Sequence, residues 1–165
     1  MIKRAQAGFT LVELIVVILL ISIVSAYAAS RYIGTGSFSA YAAQEQAISI
    51  IRQLQVYRMQ SNTTNSANPN FELTASGGCL GSSAGCSAAA TPQAAESRSD
   101  VMRLDGVSVS STVSPIRFDL RGNPLRIDAD GNSIPLTSAT ITFAASGESA
   151  SVCINSQGYV SGGSC

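Results

Sequence analysis

The chain reads as an α+β protein. One long N-terminal α-helix, with a membrane-length half and an amphipathic half, is expected to pack on a small antiparallel β-sheet head. Three observations predict this. Residues 8–24 read GFTLVELIVVILLISIV, a nearly unbroken apolar run. A helical apolar stripe follows between Ala40 and Tyr57. Short alternating runs separated by tight-turn sequences then occupy the C-terminal part of the chain.

The apolar run is the first element. From Phe9 to Ala29 it spans about 31 Å as a helix, enough to cross a bilayer core of ~30 Å. Lys3 and Arg4 precede it with no acid beside them. That asymmetry places the N-terminus in the cytoplasm and the head outside. Glu13 is the sole formal charge between Arg4 and Arg31. A secretory signal peptide accounts for the basic start and for AYA at 26–28. The run is nevertheless longer than an ordinary signal core of ~7–15 residues, and a glutamate inside such a core is unfavourable. A plain transmembrane anchor explains the length but not Glu13, since an acid deep in lipid costs about 2.5–3.5 kcal/mol.

A third reading accounts for both features. KRAQAGFTLVELIVVILL, residues 3–20, resembles the class III signal of type IV prepilins and pseudopilins, and the resemblance covers residues 3 to about 30. The resemblance implies a leader of residues 1–8 and a transmembrane and assembly helix of residues 9–30. It implies cleavage between Gly8 and Phe9 by a prepilin peptidase on the cytoplasmic side, with methylation of the new Phe9 amine. It also implies partners: other pilin subunits through the N-terminal helix, and an inner-membrane assembly platform. Cleavage removes Lys3 and Arg4 and leaves a cation at the edge of the lipid. One buried charge is expensive, and a pair of opposite sign is less so. Within one helix the Phe9 amine and the Glu13 carboxylate stand one turn apart, about 6 Å. The carboxylate can equally meet the amine of a neighbouring subunit, which sets register and rewards assembly. The competing account is a glutamate that merely snorkels to the headgroups.

Residues 31–60 form the expected stem. Gly34 and Gly36 in RYIGTGSF each lower helix stability by about 1 kcal/mol relative to alanine, so a kink or local melting is expected there. Many major pilins carry a proline in this region, and this chain has none. Ala40, Ala43, Ala47, Ile50, Ile51, Leu54 and Tyr57 then share one face, with Glu45, Ser49, Arg52 and Gln53 opposite. A 3.5-residue repeat long enough for an independent coiled-coil arm is not sustained. SNTTNSANPN at 61–70 ends the helix with turn formers.

Residues 61–165 form the β-rich head. Its first part, to about Arg98, is heavy in Gly, Ser and Ala and reads as a loop stapled by cysteines rather than a packed layer. GSSAG at 81–85 fits the GxSxG hydrolase elbow, but the chain has no histidine to act as base. Strand signals begin near Val101. VSVSSTV at 107–113, IRFDL, LRID, ATITFAA and SVCIN are separated by RGNP, DADGNS and SQG turns. DADGN at 128–132 raises calcium, yet it lacks the glycine position and distal glutamate of an EF-hand loop. A polar hairpin turn is the better account.

The four cysteines, Cys79, Cys86, Cys153 and Cys165, all lie in the head. Four thiols allow three pairings. Short separations on the exported side favour Cys79 with Cys86 and Cys153 with Cys165. Zinc is the rival, against which stand spacings unlike CxxC and the absence of histidine. The ten basic residues are spread along the chain among ten acids, so no dense basic stripe suits nucleic acid.

FDLRGNPL, ITF and SVCINSQGYV, over residues 116–160, also resemble the heads of minor pilins and minor pseudopilins of the FimT and H type. With the stapled terminal loop CINSQGYVSGGSC, the chain is most similar to a minor pilin of the MSHA (mannose-sensitive haemagglutinin) pilus, its C-type subunit. The expectation is therefore a structural subunit of a surface fibre involved in pilus biogenesis and adhesion. It would be a single-pass inner-membrane protein with its head in the periplasm, and extracellular once assembled. No catalytic residue, cofactor or metal is expected. Two alternatives remain: a minor pseudopilin of a type II secretion system, and an exposed minor pilin that binds a ligand or DNA through the loop near Cys79 and Cys86.

Overall fold

The computed structural model describes residues 10–32, 35–63, 67–89, 95 and 97–165. The chain divides into an N-terminal unit ending at Thr35 and a second unit, Gly36–Cys165.

Helix α1, Leu11–Tyr32, makes up most of the described part of the first unit. Its window Leu11–Ala28 has a mean hydropathy of 2.6 and is long and apolar enough to cross a membrane. Every large apolar side chain from Leu11 to Val24 is at least 43% exposed. Ser22, the polar residue in mid-span, donates its hydroxyl to Ile18 O at 2.7 Å. That bond satisfies within the helix a group that lipid cannot. Of the two glycines at which a kink or melting is expected from the sequence, Gly34 lies outside the described residues and Gly36 is helical, within Thr35–Gln60.

The second unit is built on α2, Thr35–Gln60. Ala40, Ala43, Ala47, Ile50, Ile51 and Leu54 are all buried, six of the seven positions of the apolar stripe. Tyr57 departs from it and is 43% exposed. The stripe continues instead through Arg58, four residues past Leu54 and 2% exposed, flanked by buried Gln55.

Residues expected to form a loop pack as a layer. Strands β1 (Leu73–Ser76) and β2 (Cys79–Ser82) form a hairpin, followed by helix α3 (Ser83–Ala88) and strand β3 (Val101–Arg103). They make a sheet of order β1-β2-β3 in which Leu73, Ala75, Cys79, Leu80 and Ser82 are at most 4% exposed. The hairpin closes on Gly77 and Gly78, with φ +58° and +71°. A two-residue turn with both φ values positive matches the strand twist, and glycine supplies it without steric cost.

The remaining strands are β4 (Ser108–Ser111), β5 (Arg117–Phe118), β6 (Pro124–Ile127), β7 (Ser133–Pro135), β8 (Ser138–Ala145), β9 (Glu148–Asn155) and β10 (Val160–Gly162). They form two antiparallel sheets, β10-β9-β8-β4 and β5-β6-β7. A bridge between Leu73 and Ile116 links the latter to the first sheet. Strands β7 and β10 were not anticipated; β10 turns part of the expected terminal loop into a return strand paired with β9. Along β8, burial alternates so that Ala139, Ile141, Phe143 and Ala145 face inward. With Val152 and Ile154 of β9 they share one core with the α2 stripe.

Polar side chains of α2 fix its direction against the sheet. Gln44 donates to Ser151 O, Arg52 Nη2 to Val160 O at 2.9 Å, and Gln55 Nε2 to Gly158 O at 2.7 Å. Helix α2 and strand β9 therefore run the same way. One end of the head holds the β9–β10 turn and the C-terminal end of α2; the other holds the β8–β9 turn.

Candidate functional site

The acid at the start of α1 has a defined local setting. Thr10 Oγ1 accepts the backbone N–H of Glu13 at 3.2 Å, and Thr10 O accepts that of Leu14 at 3.2 Å. Thr10 is thus the N-cap of α1, and Thr10-Leu11-Val12-Glu13 has the Thr-x-x-Glu spacing of a capping box. A carboxylate in the first turn is also favoured by the helix dipole. This second physical reason for Glu13 was visible in the sequence as that spacing. Gly8 and Phe9, the expected cleavage and methylation positions, lie outside the described residues.

In the head, three turns repeat one design. Residues 119–123, 128–132 and 155–159 each begin with Asp or Asn and carry glycine at the fourth position. Asp119 Oδ1 accepts the amides of Arg121 and Asn123 at 2.8 and 2.9 Å. Asp128 Oδ1 does the same for Asp130 and Asn132, and Asn155 Oδ1 for Gln157 and Tyr159. In each, the side chain substitutes for the next strand in satisfying turn amides. Asp128, considered above for calcium, has its oxygens occupied in this way, with Asn132 Nδ2 on Oδ2 at 3.3 Å. Among the described residues, no group of three or more His, Cys, Asp or Glu side chains is arranged to hold a metal ion.

Two of these turns meet over α2. Gln55 Nε2 donates to both Gly122 O (3.0 Å) and Gly158 O (2.7 Å). A Cβ on Gly158 would stand 2.2 Å from Gly122 O. Beside this clamp lies a groove of about 300 Å3, lined from α2 by Arg52, Val56 and Met59 and from the turns by Arg121 and Gln157. Arg58 holds the neighbouring helix end. Its Nε donates to Phe118 O at 3.0 Å, and Nη1 to Thr63 O at 2.7 Å and Ser61 Oγ at 2.8 Å. The guanidinium also stands 6.0 Å from the centre of the Phe71 ring.

The structure joins Cys79 to Cys86 and Cys153 to Cys165. The first bridge ties β2 to α3 beside a small core of Ala89, Ala95 and Val101. The second ties the C-terminal residue to β9. The two serines of GSSAG are structural. Ser82 caps α3, accepting the Gly85 amide at 2.8 Å while donating to Asp100 Oδ2. Ser83 Oγ pairs with Thr74 Oγ1.

Carboxylates with shifted acidity serve these folds. Burial pushes Asp100 up, but hydrogen bonds from Arg98 and Ser82 and the Arg98 charge outweigh it and hold the carboxyl below its ordinary value. Asp119 is likewise held low: burial opposes, and the Asn123 and Arg121 amides prevail. The Asn132 amide lowers Asp128, against some burial. Glu72 and Arg117 form a half-buried ion pair at 2.7 Å.

Residues 3–29 match the family model described as the prokaryotic N-terminal methylation motif. No curated protein and no solved structure matches the chain. The matched span runs through Gly8, Phe9 and Glu13 and includes most of α1. That motif, on a helix long and apolar enough to cross a membrane, supports a type IV pilin-like or pseudopilin subunit anchored through α1. It implies processing by a prepilin peptidase and assembly with other pilins.

Proposed function

We propose that the chain is a minor type IV pilin, a structural subunit of a surface pilus of the MSHA type. The observation that carries this reading is the methylation motif at residues 3–29 leading into an exposed apolar helix with Glu13 in its first turn. Prepilin peptidase cuts between Gly8 and Phe9 at the cytoplasmic face and methylates the Phe9 amine. The Glu13 carboxylate offsets that cation, within the helix or across to a neighbour, so bundled α1 helices lose a cost that the single subunit bears in lipid. The head, outside the inner membrane, becomes the surface of the fibre on assembly. Its two cystine-stapled regions suit an oxidising compartment. The assignment to the MSHA type rests on the likeness of FDLRGNPL, ITF and SVCINSQGYV to FimT- and H-type heads, taken together with the stapled terminal loop CINSQGYVSGGSC. The chain acts by assembly and adhesion rather than by catalysis.

The test is to shear surface fibres from the host and probe them for this chain. It should be found in fibres that also contain the major pilin. Retention of the whole pool in the cell envelope, with secretion impaired by deletion, would favour a type II secretion pseudopilin instead.

A further inference from the structure

The groove beside Gln55 gathers cations and apolar side chains. Its lining includes Arg52, Val56, Met59 and Arg121, and no carboxylate. Arg52 is exposed, and among the described residues its guanidinium makes a single hydrogen bond, to Val160 O, and no ion pair. The Arg121 side chain is 83% exposed and stands 3.5 Å from Asp119, whose oxygens already take three hydrogen bonds from their own turn. A guanidinium carries five N–H donors, so both cations keep donors for a further carboxylate.

The apolar character extends past the groove. Outside α1, the exposed large hydrophobic side chains of the described residues are Tyr41, Val56, Tyr57, Met59, Leu120 and Tyr159. Val56 and Met59, 41% and 44% exposed, line the groove. Leu120 adjoins Arg121, and Tyr159 adjoins Gly158, on the two turns that Gln55 clamps. Arg, Met and Tyr are the residue types enriched where proteins meet proteins. The surface is also preformed, because Gln55 fixes both turns and Gly158 packs against Gly122 O, so docking orders little. Two arginines beside valine and methionine suit a carboxylate with an apolar neighbour. A nucleic acid is held instead by a row of phosphate contacts and by stacked bases.

We infer that this groove docks an acidic segment of a different pilin subunit, a carboxylate pairing with Arg52 and Arg121 and an adjacent apolar side chain resting on Val56 and Met59. This deepens the proposed function and rests on the chain being a minor fibre subunit. The neighbours of a sparse subunit are pilins of other kinds, so the contact joins unlike chains and needs no second copy. Exposed ion pairs are individually weak. Opposite charges across an interface nevertheless fix register and disfavour partners of the wrong sign. The groove therefore selects which subunit stands beside this one, while the apolar α1 helices supply the bulk of the association.

The test is photo-cross-linking in the host from p-benzoylphenylalanine placed at position 120 of the full chain, where it replaces one exposed apolar side chain by another. Adducts are mapped by mass spectrometry, and yields are expressed per chain recovered in the same fraction, so that a folding defect does not imitate lost docking. The expected product joins position 120 to a segment of another pilin in which Asp or Glu stands beside an apolar residue. Arg121→Glu should lower its yield by about threefold or more, and reversing the partner's acid to lysine in the same cells should restore it. A yield that ignores these changes overturns the inference. So does an adduct to a second copy of this chain, to a segment without an acid or to anything other than a pilin, and so does the lack of any adduct. In all these cases the chain's presence in sheared fibres keeps the proposed function. Absence of the unmodified chain from fibres overturns the proposed function. The adduct is then read in the membrane fraction, where an acidic segment of another pilin-like subunit supports the docking and any other result overturns it.

Discussion

Glu13 stands in the first turn of α1 at the Thr-x-x-Glu spacing of a capping box, so two roles compete for its side chain: support of the helix N-terminus, and the proposed neutralisation of a Phe9 amine freed by cleavage. The substitutions separate them. Glu13→Ala is expected to leave membrane insertion intact and impair incorporation into fibres, read by fractionation and shearing. Glu13→Gln keeps a side chain that can complete a capping box but removes the charge. If charge pairing drives assembly, Gln fails as Ala does; normal incorporation of Gln would assign the residue to capping. Arg58 is the other residue on which much depends. Replacing it by methionine keeps apolar bulk but strips the donors from Phe118 O and Thr63 O. An unmade bond to a buried group costs ~1–3 kcal/mol, and Phe118 O is buried whereas Thr63 is an exposed residue, so Arg58→Met should destabilise the head by about 1–3 kcal/mol. Thermal unfolding of the detergent-solubilised chain measures it; an unchanged midpoint would remove Arg58 from the account.

The Asx turns tie strands to helix. Gly158 has φ +78°, and its Cβ position is taken by Gly122 O, so Gly158→Ala must push two turns apart and break the Gln55 clamp. A lower unfolding midpoint is expected, well beyond that of Gly131→Ala, where the same positive φ meets open space. These turns also give the head an acid limit. Asp100, Asp119 and Asp128 are all held below their ordinary value in the folded state. A carboxylate with a depressed folded pKa stabilises fully above the unfolded value of about 3.9, and that contribution is lost as pH falls toward the folded one. The unfolding midpoint should therefore be level near neutrality and fall below about pH 4; a midpoint that rises on acidification would contradict the assigned hydrogen bonds. How much of these elements the sequence displays depends on what makes them. Length and apolarity suffice for α1, and a 3.6-residue period shows the α2 stripe as far as Leu54. At Arg58 the pattern fails, because a charged residue on an apolar face is buried here only through carbonyls as distant as Phe118. Strands β1 and β2 are hidden by weak β-formers, Ala, Ser and Gly, whose burial comes from tertiary packing. The Gly77-Gly78 pair was nonetheless a readable hairpin signal. The groove is assembled from residues near 52–59, 121–122 and 157–158, and no local pattern joins them.

On the proposed function, the chain couples two solvents. Residues Leu11–Ala28 are suited to lipid or to the interior of a bundle, while the unit from Gly36 to Cys165 has its own hydrophobic core and two cystine staples. An exposed apolar surface as extensive as that of α1 calls for an apolar cover, which the proposed function supplies as lipid or as like helices. Exchange of the first cover for the second is what assembly amounts to in this account, with the Phe9 amine and Glu13 making the exchange favourable. All of this depends on a new cation being created at Phe9, and intact-mass and N-terminal peptide analysis of the protein from its host tests that. The mature chain should begin at Phe9 with a methylated amine. A chain that keeps Gly8 and the residues before it, or one that begins after Ala28, would contradict it.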